Sequence, residues 1–486
     1  MAGGVQMTDS SLILVTILTP ALGALLLPFI GGLSKHARNY AAAILVACAL
    51  LANAALMPSV FGSQKTVEAS LLGLRVVADG LAVFVGAAAS LVSLIIVIYS
   101  FDYIDHYENQ NEYYLMVVLF LGSMMGLVFS ANLILLFIFW ELTAVASWRL
   151  IGYFRKESDV LRANKAFLIT VFGALLMLLG FVMLAMTTGS FDIAEIKAQL
   201  AGTPISDITF LLIMAGIFSK SATLPFHTWL PDAGVAPSPV TSLLHAAVLV
   251  KIGVYVFARL FVVNLAYSEA AHTVVLVLAA ASALVSAGAA LVETDLKRII
   301  AYSTVSQIAF IFLGFASGNT VGITGALLYV FMHGLAKGGL FLCAGIVEQK
   351  THTKDITRLG GLHRQMPITS LSFLLCSLSV MGVPPLGGFF SKSMVIMGAA
   401  DAGRPWIAAV FVLGAVFTIL YLMRAYNRVF LGEYAGDSGE MPREGSKIMV
   451  GSVASLTLLS IIAGLAINWP GKLAEIAVFQ MLGAVK

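Results

Sequence analysis

Residues 207–262 read DITFLLIMAGIFSKSATLPFHTWLPDAGVAPSPVTSLLHAAVLVKIGVYVFARLFV. Two apolar runs of about 20 residues flank a proline-rich piece, PFHTWLPDAGVAPSPV, and each run carries one lysine, Lys220 and Lys251. An apolar run of that length is what a helix needs to cross a bilayer. A lysine at the bilayer centre costs roughly 2.5–3.5 kcal/mol on insertion scales, so its presence calls for a reason. The prolines predict that the first run is broken and returns through a short re-entrant half. Non-helical backbone at that depth is tolerated where it is buried in protein or lines a wet cavity.

The rest of the chain fits the same solvent. Of 486 residues, 59% are hydrophobic and 11% charged, and mean hydropathy is +0.96. Average soluble chains carry roughly 25% charged residues. The apolar runs are continuous and do not alternate, so they read as helices and not as barrel strands. The net charge of +3 is spread over loops and points to no nucleic-acid partner. Cys48, Cys343 and Cys376 stand alone in apolar stretches, which reads as small buried hydrophobes and not as metal ligands or disulfides. The first run lacks a basic leader and reads as a retained helix.

The fold class is an all-α integral membrane protein of about 14 spanning helices. The spans are 11–31, 39–58, 77–101, 112–130, 132–153, 165–187, 207–224, 240–262, 273–292, 297–316, 321–347, 366–400, 406–430 and 447–468. The twelfth is too long for one crossing and contains Val383-Pro384-Pro385-Leu386-Gly387-Gly388, so helices 7 and 12 are both expected to be discontinuous. Loops after odd-numbered helices hold about 16 lysines and arginines against about five in the even loops. The positive-inside rule then puts the odd loops in the cytoplasm and both termini outside, in a bacterial or archaeal-type inner membrane.

Phe218-Ser219-Lys220-Ser221 returns as Phe390-Ser391-Lys392-Ser393, five helices later. An odd spacing inverts the second copy, the mark of an inverted repeat. The expected units are 1–111 (three helices), 112–262 (first repeat, helices 4–8), 273–430 (second repeat, helices 9–13) and 431–486 (helix 14 and tail).

Five ionisable groups fall at membrane depth: Glu141, Lys220, Lys251, Lys337 and Lys392. They must face one another, or water, inside the bundle. One acid and four bases leave positive charge unmatched, so some amines must spend time neutral. An amine whose two protonation states lie close in energy is a proton carrier. His333 lies one helical turn from Lys337, and His245 lies six residues before Lys251. Both can relay protons. The rival readings are a fold-stabilising ion pair for Glu141 with a lysine, tight helix packing around Lys337, and histidines bonded to backbone carbonyls. Arg149 in helix 5 is expected to pair with a lipid or a partner subunit.

The segments WELTAVASWRLIGY around Glu141, FSKSATLPFHTWLPDAGVAPSPVTSLLHAAVLVKIGVY, DLKRIIAYSTVSQI at 295–308, HGLAKGGLF around Lys337 and GVPPLGGFFSK ending at Lys392 carry a resemblance. The chain resembles the antiporter-like subunits shared by respiratory complex I, membrane-bound hydrogenases and Mrp-type multisubunit Na+/H+ antiporters, over roughly residues 80–430. The resemblance implies that Glu141 pairs with Lys220, that Lys251 links the two halves with His245 and Lys337, and that Lys392 hands the proton to the far side. It implies integral membrane partner subunits, further antiporter-like ones included, in contact with lipid. It implies no cofactor in this chain, and no quinone, flavin or nucleotide motif is present. Two functions follow: proton translocation driven by redox chemistry in partner subunits, or a subunit of a cation/proton antiporter without redox chemistry. A scaffold with a dead channel is the third. No cluster of intramembrane carboxylates offers a hard-cation cage, which favours H+ over Na+ as the transported ion.

Overall fold

The computed structural model describes residues 8–434 and 442–483, so the extreme termini, whose side of the membrane was read from loop charge, lie outside the described residues. Twelve described helices are long and apolar enough to cross a membrane. They are α1 (Asp9–Leu33), α2 (Lys35–Gly62), α3 (Gly80–Tyr103), α4 (Gln110–Phe129), α5 (Leu133–Ile151), α6 (Glu157–Thr188), α8 (Ser238–Val262), α9 (Glu269–Val292), α10 (Leu296–Ala316), α11 (Thr320–Thr351), α13 (Pro405–Phe430) and α14 (Lys447–Leu465). Two broken crossings complete the set. The first, α7 (Asp207–Lys220), gives way to short turns over Phe226–Val235. The second, α12, has halves Pro367–Met381 and Gly387–Asp401. The chain is a multi-pass membrane protein.

Helix starts are written locally. Asp79, Asn132 and Asp295 cap α3, α5 and α10 by accepting from backbone N–H groups of the first turn, which satisfies donors that a helix leaves open. The inverted repeat shows in the backbone itself. Asn132 bridges Asp192 just beyond α6, and Asp295 bridges Asp355 just beyond α11, a displacement of 163 residues in both cases (132 to 295, 192 to 355). The flanking bonds match: Leu133 N to Phe191 O at 2.9 Å and Ile193 N to Ala131 O at 3.0 Å, against Leu296 N to Lys354 O at 2.8 Å and Ile356 N to Thr294 O at 2.9 Å. The clasps lie five crossings apart, hence on opposite faces. Likewise α4 packs on α5 as α9 packs on α10, and α6 packs on α7 as α11 packs on the second half of α12.

The core lies where the repeats meet. α8, α10 and α11 are enclosed almost entirely by protein, whereas α1, α6 and α13 present exposed rows such as Leu168, Phe172, Leu175 and Leu179. Such rows suit lipid, which solvates apolar side chains. α8 is irregular: Val248 N bonds Leu243 O, five residues back, at 3.0 Å. A wide turn of this kind is uncommon and concentrates at functional sites.

Three features escaped the sequence reading. A hairpin of β1 (Val67–Leu71) and β2 (Leu74–Ala78) lies between α2 and α3. Gly73, with φ +79°, turns it, a conformation that costs glycine nothing. Short helices cover Ile193–Leu200 and Asn468–Met481. Arg149 is a correction: its guanidinium pairs with Glu112 of α4, which Arg155 also binds at 2.6 Å, so its partner lies within the chain. An arginine in the last turn of α5 meets an acid in the first turn of its antiparallel neighbour, a meeting visible only once the two helices are side by side.

Candidate functional site

Lys220 closes α7 and is fully buried. Its Nζ donates to Trp140 O at 3.1 Å and stands 5.2 Å from the centroid of the Trp140 ring. The break that follows is held open by protein contacts: Trp229 Nε1 donates to Ser219 O at 2.9 Å. Asp232 accepts from Lys165 at 2.7 Å and Arg298 at 2.6 Å, which ties the return stretch to α6 and α10. Glu141 is the next residue after Trp140 on α5. The Lys220 amine bonds the backbone and not this carboxylate, and Glu141 Oε1 has no protein partner. Glu141 is half-buried, beside the exposed Ile138, Leu142 and Val145, so it sits at the rim of the bundle.

The other lysines converge from three helices. Lys251 of α8 bonds Ala246 O within the irregular turn, and its amine lies 3.3 Å from where a Cβ on Gly334 of α11 would stand. A side chain at Gly334 would compete with the amine for that space. Lys337 of α11 donates to Ile300 O at 3.1 Å and Ser303 Oγ at 2.6 Å on α10. Lys392, in the second half of α12, donates to Val380 O of the first half at 2.8 Å and lies 4.6 Å from the Phe310 ring centroid. His333 of α11 stands within electrostatic reach of Lys251, Lys337, Lys392 and His245. Neither ring nitrogen of His245 or His333 has a protein partner, and both rings are fully buried. The carbonyl-bonded alternative for these histidines therefore does not describe them.

The seven residues thus fall into two groups. Glu141 and Lys220 form one, on the rim side. Lys251, His245, His333, Lys337 and Lys392 form the other, at the centre. Between them α8 rests on the end of α7 at Gly253, where a Cβ would strike Ser221 Oγ and Ile217 O.

Each of these four lysines bonds a main-chain carbonyl. A carbonyl accepts from a charged ammonium and from a neutral amine alike, since both keep N–H donors. Such an acceptor positions the nitrogen without holding the proton on it, whereas a contact carboxylate would. Sequence reading missed what surrounds Lys337 and Lys392. Tyr421 donates to Ser303 Oγ at 2.7 Å, Gln307 Nε2 lies 3.4 Å from Tyr421 OH, and Tyr329 donates to Gln307 Oε1 at 2.6 Å. The Tyr329 ring lies 5.8 Å from Lys392 Nζ. Ser303 and Gln307 sit one turn apart in the segment DLKRIIAYSTVSQI. That spacing was the available signal, but Tyr421 joins them only through the fold.

Comparison with known proteins agrees with this geometry. The family described as "NADH:quinone oxidoreductase/Mrp antiporter, TM" matches residues 130–418. The Na(+)/H(+) antiporter subunit A1 of Staphylococcus saprophyticus is 32% identical over 94% of this chain and 61% of its own length. That of Staphylococcus aureus is 35% identical over 82% and 53%. The chain therefore spans a little over half the length of these relatives. Among solved structures, the Mrp complex from Dietzia sp. superposes with a TM-score of 0.86 at 26% identity, covering 98% of this chain and 52% of that one. The archaeal membrane-bound sulfane sulfur reductase (0.90, 23% identity, 97% and 98% covered) and respiratory complex I from Thermus thermophilus (0.83, 24%, 97% and 100%) share the fold. With its matched segment running from the start of α5 into α13 and so across every buried lysine, the chain belongs to the NADH:quinone oxidoreductase/Mrp antiporter transmembrane family.

Proposed function

We propose that the chain is the proton-translocating, antiporter-like subunit of a multisubunit membrane complex, and that this complex is a cation/proton antiporter of the Mrp type. Sequence reading alone put redox drive first; the names of the relatives above 30% identity reverse that order. The observation that carries the transport reading is the buried row itself: Lys220, Lys251, Lys337 and Lys392 are at most 3% exposed, and each is bonded to a carbonyl. Removing a lysine from water without a carboxylate in contact is expensive, and a purely structural role would be met better by an apolar side chain.

The proton path runs from Lys220, through Lys251 and His245, past His333 and Lys337, to Lys392. Each amine accepts a proton through internal water and passes it on, its carbonyl holding the nitrogen throughout. Glu141 acts on Lys220 across a gap that no hydrogen bond closes. Because Glu141 lies at the rim, a membrane subunit packed on the exposed face of α5 alters that gap. The two units at 112–262 and 273–430 act as half-paths joined at α8 and α11, with the odd loops in the cytoplasm.

The test is ion transport by the assembled complex in membrane vesicles. Lys220→Ala and Lys392→Ala should each abolish it while the complex still assembles. Unchanged transport in both removes the path. Purification in mild detergent decides the setting: iron–sulfur or hydrogenase-like partners would replace the antiporter reading with redox drive.

A further inference from the structure

On the face of the odd-numbered loops a cavity of about 510 Å3 opens between the ends of α3, α10 and α11, walled by Tyr103, Lys297, Glu348 and Gln349 among others. The proposed path leaves a buried ion pair at this cavity unused. Lys297 is 1% exposed, and its Nζ binds Glu348 Oε2 at 2.8 Å and Ala236 O at 3.0 Å. Glu348 reaches inward as well: Ser238 Oγ lies 3.3 Å from Glu348 Oε2 and 3.3 Å from Tyr103 OH. Ser238 opens α8. One turn further along that helix comes Ser242, whose Oγ lies 3.4 Å from Gly338 O, next to Lys337. His245 follows three residues later, in the wide turn, with both ring nitrogens free of protein partners. From Ser238 to His245 the rise is about 10 Å.

The facing surface of α11 is bare at the matching heights. A Cβ at Gly345 would come within 2.5 Å of Ser238 Cβ and 2.8 Å of Tyr99 OH, and one at Gly338 would come within 3.7 Å of Ser242 Oγ. A fully buried row of hydroxyls therefore runs beside glycine backbone, from the open cavity to an imidazole with free nitrogens. Steps of about one helical turn are the length that a single bridging water spans.

We propose that this cavity is the proton port of the odd-loop face, with Glu348 and Lys297 at its floor and Ser238 and Ser242 as the steps to His245. The inference rests on the reading of the chain as a proton-translocating subunit. A hydronium in the cavity gives its proton to the Glu348 carboxylate and leaves as water. The carboxylic acid then gives a proton to Ser238 Oγ, and Ser238 releases its own hydroxyl proton inward. Ser242 and bridging water repeat the exchange, and a free nitrogen of His245 takes the last proton. Glu348 returns to carboxylate, and the net change is one proton moved inward. Lys297 is a positioning residue: its ammonium holds the carboxylate over Ser238.

The experiment uses the assembled complex in vesicles of both orientations, with Gln349→Cys treated by a bulky, membrane-impermeant thiol reagent. The parent chain, whose Cys48, Cys343 and Cys376 are native, serves as the reagent control. Modification from the odd-loop face should slow proton transport at least fivefold relative to the same variant before treatment, and reagent on the opposite face should do nothing. Glu348→Gln, with assembly verified, should slow transport about tenfold. Full transport after complete modification, confirmed by mass, overturns the port. Normal transport by Glu348→Gln removes the carrier role of that residue. Lys220→Ala in the same vesicles separates the two failures. If it blocks transport while modified Gln349→Cys runs at full rate, the port alone is wrong. If it and Lys392→Ala both transport normally, the underlying reading is wrong.

Discussion

The pair between Asp79 and Arg259 offers the sharpest test of how the C-terminal end of α8 is held. Arg259 is 7% exposed; its guanidinium binds Asp79 through two nitrogens and donates to Tyr255 OH at 3.1 and 2.8 Å. Asp79 also caps α3, accepting from Ala82 N at 2.9 Å. Breaking a buried pair from one side leaves an uncompensated charge, worth about 3–5 kcal/mol, and loss of a cap adds about 1 kcal/mol. Asp79→Ala should therefore destabilise the chain by roughly 4–6 kcal/mol. Asp79→Asn combined with Arg259→Met removes both charges, so its effect should fall short of the sum of the single changes by about 2–3 kcal/mol, close to a hundredfold in the unfolding equilibrium. The assay is unfolding of the purified chain in mixed micelles, followed by tryptophan fluorescence.

The pH dependence of the same pair has a definite sign. Burial pushes the Asp79 carboxyl up, but Arg259 beside it prevails and holds it below the ordinary carboxylate range. A group lowered on folding stabilises at every pH above its unfolded value, about 4, and loses that contribution only as pH falls through the folded value. The coupling should thus be equal at pH 7 and pH 5. Additive single changes, or a coupling that fades by pH 5, would refute the assignment of this pair as the anchor. Because Lys251, Tyr255 and Arg259 follow one another at four-residue spacing along α8, the single variants should also slow transport.

Three further outcomes follow from the geometry. Tyr421→Phe removes the hydroxyl that joins Ser303 to Gln307, at about 1–2 kcal/mol of stability; transport by the assembled complex should fall severalfold, and an unchanged rate would set that network aside. Gly388→Val places a Cβ 1.8 Å from Ser379 O, so the halves of α12 cannot keep their crossing; overpacking beyond about 3 kcal/mol should abolish recovery of folded complex in size-exclusion runs, and normal recovery would contradict the break as described. Glu112→Gln, by contrast, touches a pair whose arginine side chains are 38% and 53% exposed; solvent screening limits the loss to about 1 kcal/mol or less, and the thermal midpoint should barely move.

The two broken crossings were legible because proline cannot continue a helix, and Pro225 and Pro384–Pro385 fall inside otherwise continuous apolar runs. Lys220, Lys251, Lys337 and Lys392 were legible because a charge inside such a run has no cheap explanation. The hairpin at Val67–Ala78 was not: ten residues of strand carry little period beside helical runs of twenty. Nor was the clasp that repeats from Asn132–Asp192 to Asp295–Asp355, since a backbone bridge needs no particular side chain and leaves only its helix caps in the sequence.

What the amino-acid order determined, then, is everything set by local physics: the solvent, the crossings, the breaks, and the list of charges that must be hidden. What only the tertiary structure decided is who meets whom. Lys220 lies nearest a carbonyl, and Glu141 stands off at the rim; Arg149 closes on Glu112; Tyr421 joins Ser303 across two helices; Lys297 and Glu348 floor a cavity. Each of these depends on which faces of distant helices turn toward one another. That is settled by packing among residues many turns apart, and no local pattern records it.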